Sequence, residues 1–142
     1  MIVVDANILL YAYDSVSPHH AKARAWVESA LSGSDPVGLP WQTAVAFLRI
    51  TTNPRLPGQR LTLEEAVSVV DQWFDQPNVR LLAPGDGHWP LFRQMTLEGQ
   101  AHGPLTTDAH LAALTIEYGS VLQTTDRDFA RFPGLRWTNP LA

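Results

Sequence analysis

Cysteine is missing from this 142-residue chain, and its absence excludes disulfides, thiolate metal ligands and a cysteine nucleophile together. Lysine is nearly missing as well. Lys22 is the single lysine among 10 basic residues, so positive charge is carried by arginine, whose planar fork grips phosphate or carboxylate at two points. No apolar run reaches the roughly 18 residues of a membrane span. The opening MIVVDANILLYAYD lacks a basic leader and meets an acid at Asp5, unlike a secretory signal. A cytoplasmic location is expected on these grounds. A Gly-x-Ser-x-Gly elbow, a glycine-rich phosphate loop and a histidine pair four residues apart are all absent, which removes the hydrolase, nucleotide-loop and zinc-protease signatures. Carboxylates are absent from Pro36 to Leu63, a stretch that holds Arg49, Arg55 and Arg60.

What is present describes an ordinary packed domain. Hydrophobic residues make up 45% and charged residues 17%, too apolar for disorder, and the length predicts one domain over residues 1–142. The net charge of −4 weighs against broad nucleic-acid binding, although the arginines clustered between Asp35 and Glu64 could still hold phosphates.

Apolar patterning alternates strands with helices. Ile2-Val3-Val4 is a β-branched run suited to a buried strand, with a short helix expected from Asn7 to Tyr13. Ser17-Pro18 predicts an N-cap and first turn of a helix to Leu31. Val37–Leu39 predicts a second strand, and Gln42–Thr52 a helix stopped before Pro54. Thr62 and Glu65 form a capping-box pattern, followed by Ala66, Val69, Val70, Trp73 and Phe74 at helical spacing. Val79–Ala83 predicts a strand, Asp86–Gly99 a helix, and Thr107–Tyr118 an apolar helix closed by Gly119. Strands at Val121–Thr124 and Leu135–Trp137 complete an α/β pattern: a central parallel five-stranded sheet flanked by helices on both faces.

Three aspartates fall at informative places. Asp5 ends the first strand, Asp126 follows the fourth by two residues, and Asp108 opens the helix between them. In an open parallel sheet, ligands bind beyond the carboxyl ends of the strands. Carboxylates gathered there repel unless a cation neutralises them, and oxygen ligands without thiolate or imidazole suit Mg²⁺ or Mn²⁺. Each acid also has a plain structural reading. Asp108 can favour a helix dipole, and Asp126 can serve a Thr-Asp-Arg-Asp turn. Asp5 directly after a buried strand needs a partner under either reading.

The order of motifs adds a resemblance. Ile2-Val3-Val4-Asp5-Ala6-Asn7 resembles the first-strand signature of PIN domains. Thr107-Asp108-Ala109-His110-Leu111 resembles their third acidic motif, and Thr124-Thr125-Asp126-Arg127-Asp128-Phe129 the fourth. Phe47-Leu48-Arg49, Thr52-Asn53-Pro54-Arg55 and Phe132-Pro133-Gly134-Leu135-Arg136-Trp137 resemble the VapC-type toxins. The resemblance implies a divalent-metal ribonuclease and toxin, a homodimer, silenced by a VapB-type antitoxin. It implies Asp5, Asp108 and Asp126 as catalytic and metal-holding acids for Mg²⁺, with Mn²⁺ able to substitute. Asn7 and Thr124 would be hydrogen-bonding supports, and Arg49, Arg55 and Arg60 would hold RNA phosphates.

One departure bears on the metal. Many PIN domains carry a glutamate in the helix after strand two, in a pattern like Ala-Glu-Leu-Leu. Here the segment is Ala46-Phe47-Leu48-Arg49, which favours one ion held mainly by Asp5 and Asp108. Asp128 is expected to pair with a surface arginine. His19 and His20 are expected to face solvent; His88, His102 and His110 are scattered without ligand spacing, and His110 is expected to pack rather than to act in catalysis. Two other functional classes compete. A non-catalytic binding module would keep the fold without activity. A phosphatase with a strand-one nucleophile usually has a second aspartate where this chain has Asn7.

Overall fold

The computed structural model describes residues 1–58 and 60–142. Five strands form one parallel sheet in the order β3-β2-β1-β4-β5: β1 (Ile2–Val4), β2 (Val37–Pro40), β3 (Val79–Leu82), β4 (Val121–Gln123) and β5 (Trp137–Thr138). The chain builds outward from β1 to β3 on one side and then returns to lay β4 and β5 on the other. The order therefore reverses between β1 and β4, the place where open parallel sheets bind ligands.

Alternation along the strands sends successive side chains to opposite faces. Val4, Val37 and Leu39 join one core with α1 (Ala6–Ala12), α2 (His20–Leu31), α3 (Trp41–Thr51) and α4 (Leu63–Asp75). Val3, Leu82 and Leu122 join the other with α5 (His88–Glu98), α6 (Leu105–Glu117), Phe129 and Phe132. Among the described residues, no helix is long and apolar enough to cross a membrane.

Local chemistry explains several element boundaries. Thr62 and Glu65 exchange the two hydrogen bonds of the capping box that opens α4. Gly119, at φ 61°, follows α6 in the left-handed conformation that glycine adopts freely. Two expectations shift. Ser17 does not cap α2; its hydroxyl and carbonyl oxygens accept from the His19 and His20 amides. These bonds form a turn, and the helix starts at His20. The last strand is Trp137–Thr138 rather than Leu135–Trp137, because Thr124 donates its amide to the Thr138 carbonyl at 3.0 Å and sets that register. A 3₁₀ helix at Arg127–Arg131 was not legible as more than a turn.

Candidate active site

Asp5 has two structural tasks. Its amide donates to the Gln123 carbonyl at 3.0 Å, extending the β1–β4 ladder, while its Oδ1 accepts from the Ala6 amide at 2.7 Å and caps α1. Its Oδ2 accepts from the Thr124 hydroxyl at 2.8 Å. That hydroxyl has one proton, given to Asp5, so it meets its other neighbours as an acceptor. Asn7 Nδ2 donates to it at 3.2 Å and the Asp126 amide at 3.1 Å. Thr124 is fully buried, and one threonine thereby joins the ends of β1 and β4 to the start of α1.

Asp126 leaves β4 and caps the 3₁₀ helix, its Oδ1 accepting from the Asp128 amide at 2.9 Å. Asp108 sits in the first turn of α6, where the helix dipole favours a negative charge. Even so, its carboxyl is pushed up to about 6 by burial first, then by the charges of Asp126, Asp5 and Asp128, with Arg131 offsetting part. Burial also raises the Asp5 carboxyl, assisted by Asp126 and opposed by the hydrogen bonds from Thr124 and Ala6. The three acids expected to act together thus feel one another's charge, and Asp128 joins them. Asp128 forms no ion pair with an arginine among the described residues, contrary to expectation. Among those residues, no set of three histidine, aspartate or glutamate side chains is drawn close enough to hold a metal ion unaided.

The start of α3 completes the rim. The Thr43 hydroxyl donates to the Val4 carbonyl at 2.8 Å, tying α3 to the end of β1. Gln42 Nε2 donates to the Thr107 carbonyl at 3.1 Å, tying it to the residue before Asp108. Sequence reasoning passed over Gln42, although it stands after β2 much as Asp5 stands after β1. Phe47, read as standing near the place of the missing glutamate, turns away from the rim. It is fully buried, its ring 4.6 Å from Trp73 and 5.5 Å from Tyr13. On a helix the neighbour of Gln42 is four residues on, which is Ala46.

The arginines expected to hold phosphate do not touch the acids. Arg49 lies in the last turn of α3, about 10 Å along the axis from Gln42 at 1.5 Å per residue. Arg55 and Arg60 are exposed in the following loop, and Arg60 donates to the Pro54 carbonyl. Arg131 is nearer, at the end of the 3₁₀ helix, with Nη1 donating to the Gly99 carbonyl at 3.0 Å.

His110 packs as expected, while His20 does not fully face solvent. His88 Nε2 and His110 Nδ1 lie 2.8 Å apart, and His88 Nδ1 is 3.1 Å from Glu117 Oε1. This pins α5 to α6, and burial followed by His88 lowers the His110 pKa. His20 is half-buried, with Nδ1 3.0 Å from the Tyr11 carbonyl oxygen, while His19 is exposed.

A parallel sheet with Asp5, Asp108 and Asp126 placed around its switch point defines an acid-lined α/β domain. Within that class the chain belongs to the PIN-domain family, whose model matches residues 2–135. Ribonuclease VapC33 of Mycobacterium tuberculosis is 39% identical over 141 residues, 99% of each chain. Ribonuclease VapC37 of the same organism is 39% identical over 142 residues, covering 100% of this chain and 99% of its own. The fold also matches solved structures. VapBC-1 from nontypeable Haemophilus influenzae superposes with a TM-score of 0.72 at 17% identity over 100% of both chains. The Mycobacterium tuberculosis toxin VapC20, described as cleaving the sarcin–ricin loop, gives 0.69 at 14% identity over 96% of this chain and 99% of that one.

Proposed function

We propose that the protein is a divalent-metal-dependent endoribonuclease acting in the cytoplasm as the toxin of a toxin–antitoxin pair, silenced by a VapB-type antitoxin. The observation that carries the activity is the placement of Asp5, Asp108 and Asp126 around the switch point, in a chain 39% identical end to end to ribonucleases. The pairing with an antitoxin is supported by relatives solved as VapBC complexes.

The donor set fits Mg²⁺, or Mn²⁺ in its place. Its atoms are carboxylate oxygens and the buried Asn7 Oδ1, which has no hydrogen-bond partner. Hard oxygens of this kind suit these ions and not zinc. Asp5, Asp108 and Asp126 would hold the ion. When bound, such a cation offsets charge developing on phosphate oxygens and acidifies a coordinated water. Thr124 favours the ionised form of Asp5 by donating to Oδ2, against the burial that raises its carboxyl, and holds Asn7 with its carbonyl free. Arg131 would meet a phosphate at the rim, with Arg49, Arg55 and Arg60 reserved for flanking phosphates further along the RNA. Without a cation the acid cluster repels the substrate phosphate.

Exposed Trp41 and Val45 on α3, with Trp89 on α5, support a homodimer. The assay for the activity is cleavage of single-stranded RNA with Mg²⁺ or Mn²⁺, with and without EDTA. Asp5→Asn and Asp108→Asn keep the side-chain shape and remove the charge, so cutting is expected to fall by at least about 100-fold, in line with loss of a principal electrostatic contributor. Cutting that persists in EDTA or in Asp5→Asn would falsify the metal mechanism. A wild-type protein inert with both metals would leave the binding-module reading.

A further inference from the structure

β4 lies inside the sheet, between β1 and β5, yet its last residue is the polar Gln123. Gln123 is only 6% exposed, and its side-chain amide forms no hydrogen bond among the described residues. A buried amide without a partner calls for an explanation. Its register places it. Gln123 stands opposite Val4, and therefore on the face of the sheet that carries Ile2 and is covered by α2. Between that face and α2 lies a cavity of about 450 Å³, which Gln123 lines together with Ile2, Val37, Trp26 and Ala30. The amide is not sealed. Among the described residues, the side-chain polar atoms closed off from solvent without a partner are Asn7 Oδ1, Gln42 Oε1 and Asn78 Oδ1, so the Gln123 amide stays open to the cavity.

We propose that this cavity is a second binding site, and that it takes a neutral adenine-bearing molecule, the free base or its nucleoside. The volume falls within the roughly 300–1,000 Å³ of small-molecule pockets. Trp26 supplies an aromatic wall of the kind on which bases stack, and Ile2, Val37 and Ala30 supply apolar ones. Gln123 supplies the polar contact. Its amide offers a donor and an acceptor side by side, the match to the N6 and N7 edge of adenine. Charge selects against phosphate. Asp35 lines the cavity, while no lysine, arginine or histidine among the described residues does, so a phosphate would meet a carboxylate with no side-chain cation to offset it. The cavity is separate from the acid rim. Ile2 and Val37 open their strands, and Asp5, Asp108 and Asp126 take no part in the lining. The site therefore stands whether or not the rim binds a cation.

Calorimetric titration of the whole chain in EDTA, with adenine, adenosine, cytidine and AMP in turn, tests this without any activity readout. Wild type is expected to bind adenine and adenosine with a Kd of about 1 mM or tighter, the strength within reach of so small a ligand. Equal values assign the contacts to the base, and a tighter adenosine adds the ribose. Cytidine and AMP are expected to bind about 10-fold more weakly than adenosine, the first for want of the matching edge and the second for its charge. Gln123→Leu keeps the bulk and loses donor and acceptor, so its Kd for adenosine should rise about 10-fold or more. Trp26→Leu removes the stacking surface and should raise it about 5-fold or more. A melting curve shows that each variant is folded, and should Gln123→Leu fail to fold, Trp26→Leu decides. Cytidine or AMP binding as tightly as adenosine would overturn the assignment of a neutral adenine ligand. A wild type that binds none of these compounds, or a folded variant that binds adenosine within about twofold of wild type, would overturn the site itself.

Discussion

Thr124 shows how much one hydroxyl can settle. Its single proton goes to Asp5, and that choice obliges Asn7 and the Asp126 amide to donate in return. No such bond is given to Asp108 among the described residues, and burial, with the charges of Asp126, Asp5 and Asp128, pushes its carboxyl up to about 6. A free carboxyl titrates near 4. Between roughly pH 4 and 6 the folded chain therefore holds a proton that the unfolded chain has released, and lowering the pH through that window favours the folded state. The raised Asp5 carboxyl acts in the same direction. The metal-free protein is expected to melt at a higher temperature at pH 5 than at pH 7.5, and Asp108→Asn to flatten the difference and raise the value at pH 7.5. A wild-type melting temperature that falls on going from pH 7.5 to 5 would remove the repulsion on which the site is argued. Asp5, Asp108 and Asp126 were legible in the sequence because each stands at an element boundary, where position alone says which rim it joins. Gln42 and Arg131 were not, since their relevance depends on which way a helix is rotated and on a turn that folds back over Gly99.

At the scale of elements, α3 separates the legible from the hidden. Its apolar spacing predicted a helix, and the helix is there within a residue of the expected ends. Which side faces the acids is not fixed by that spacing, and the resemblance alone puts Phe47 near the place of the absent glutamate. Packing settles the matter. Phe47 closes an aromatic cluster with Tyr13 and Trp73 that joins α1, α3 and α4, and a carboxylate there would be buried without a partner. Phe47→Ala is expected to destabilise the fold by about 3–5 kcal/mol through the cavity left behind, measured by urea denaturation; a loss under about 1 kcal/mol would show that this cluster is not what seats α3. The His88–His110–Glu117 cluster was hidden for a different reason. Its members lie 22 and 29 residues apart on two helices, and only the docking of α5 on α6 brings them together.

For the whole molecule, the strand order matters more than any single motif. Placing β4 beside β1 brings Asp126 and Thr124 to Asp5, and the α6 that precedes β4 brings Asp108 to the same end. The parallel sheet with helices on both faces was legible from alternation alone, because fully buried strands and amphipathic helices admit few other arrangements. Assembly is less determined by the sheet. Trp41 and Trp89 are 54% and 64% exposed, and light scattering at micromolar concentration is expected to give twice the chain mass, with a single-chain mass ruling the dimer out. Anomalous scattering from crystals soaked in Mn²⁺ tests most directly whether these acids hold one divalent cation. One peak is expected between Asp5, Asp108 and Asp126, with carboxylate oxygens at about 2.0–2.6 Å, the range of oxygen-bound divalent cations. No peak there at a Mn²⁺ concentration that supports RNA cleavage, or a peak held by other residues, would contradict it.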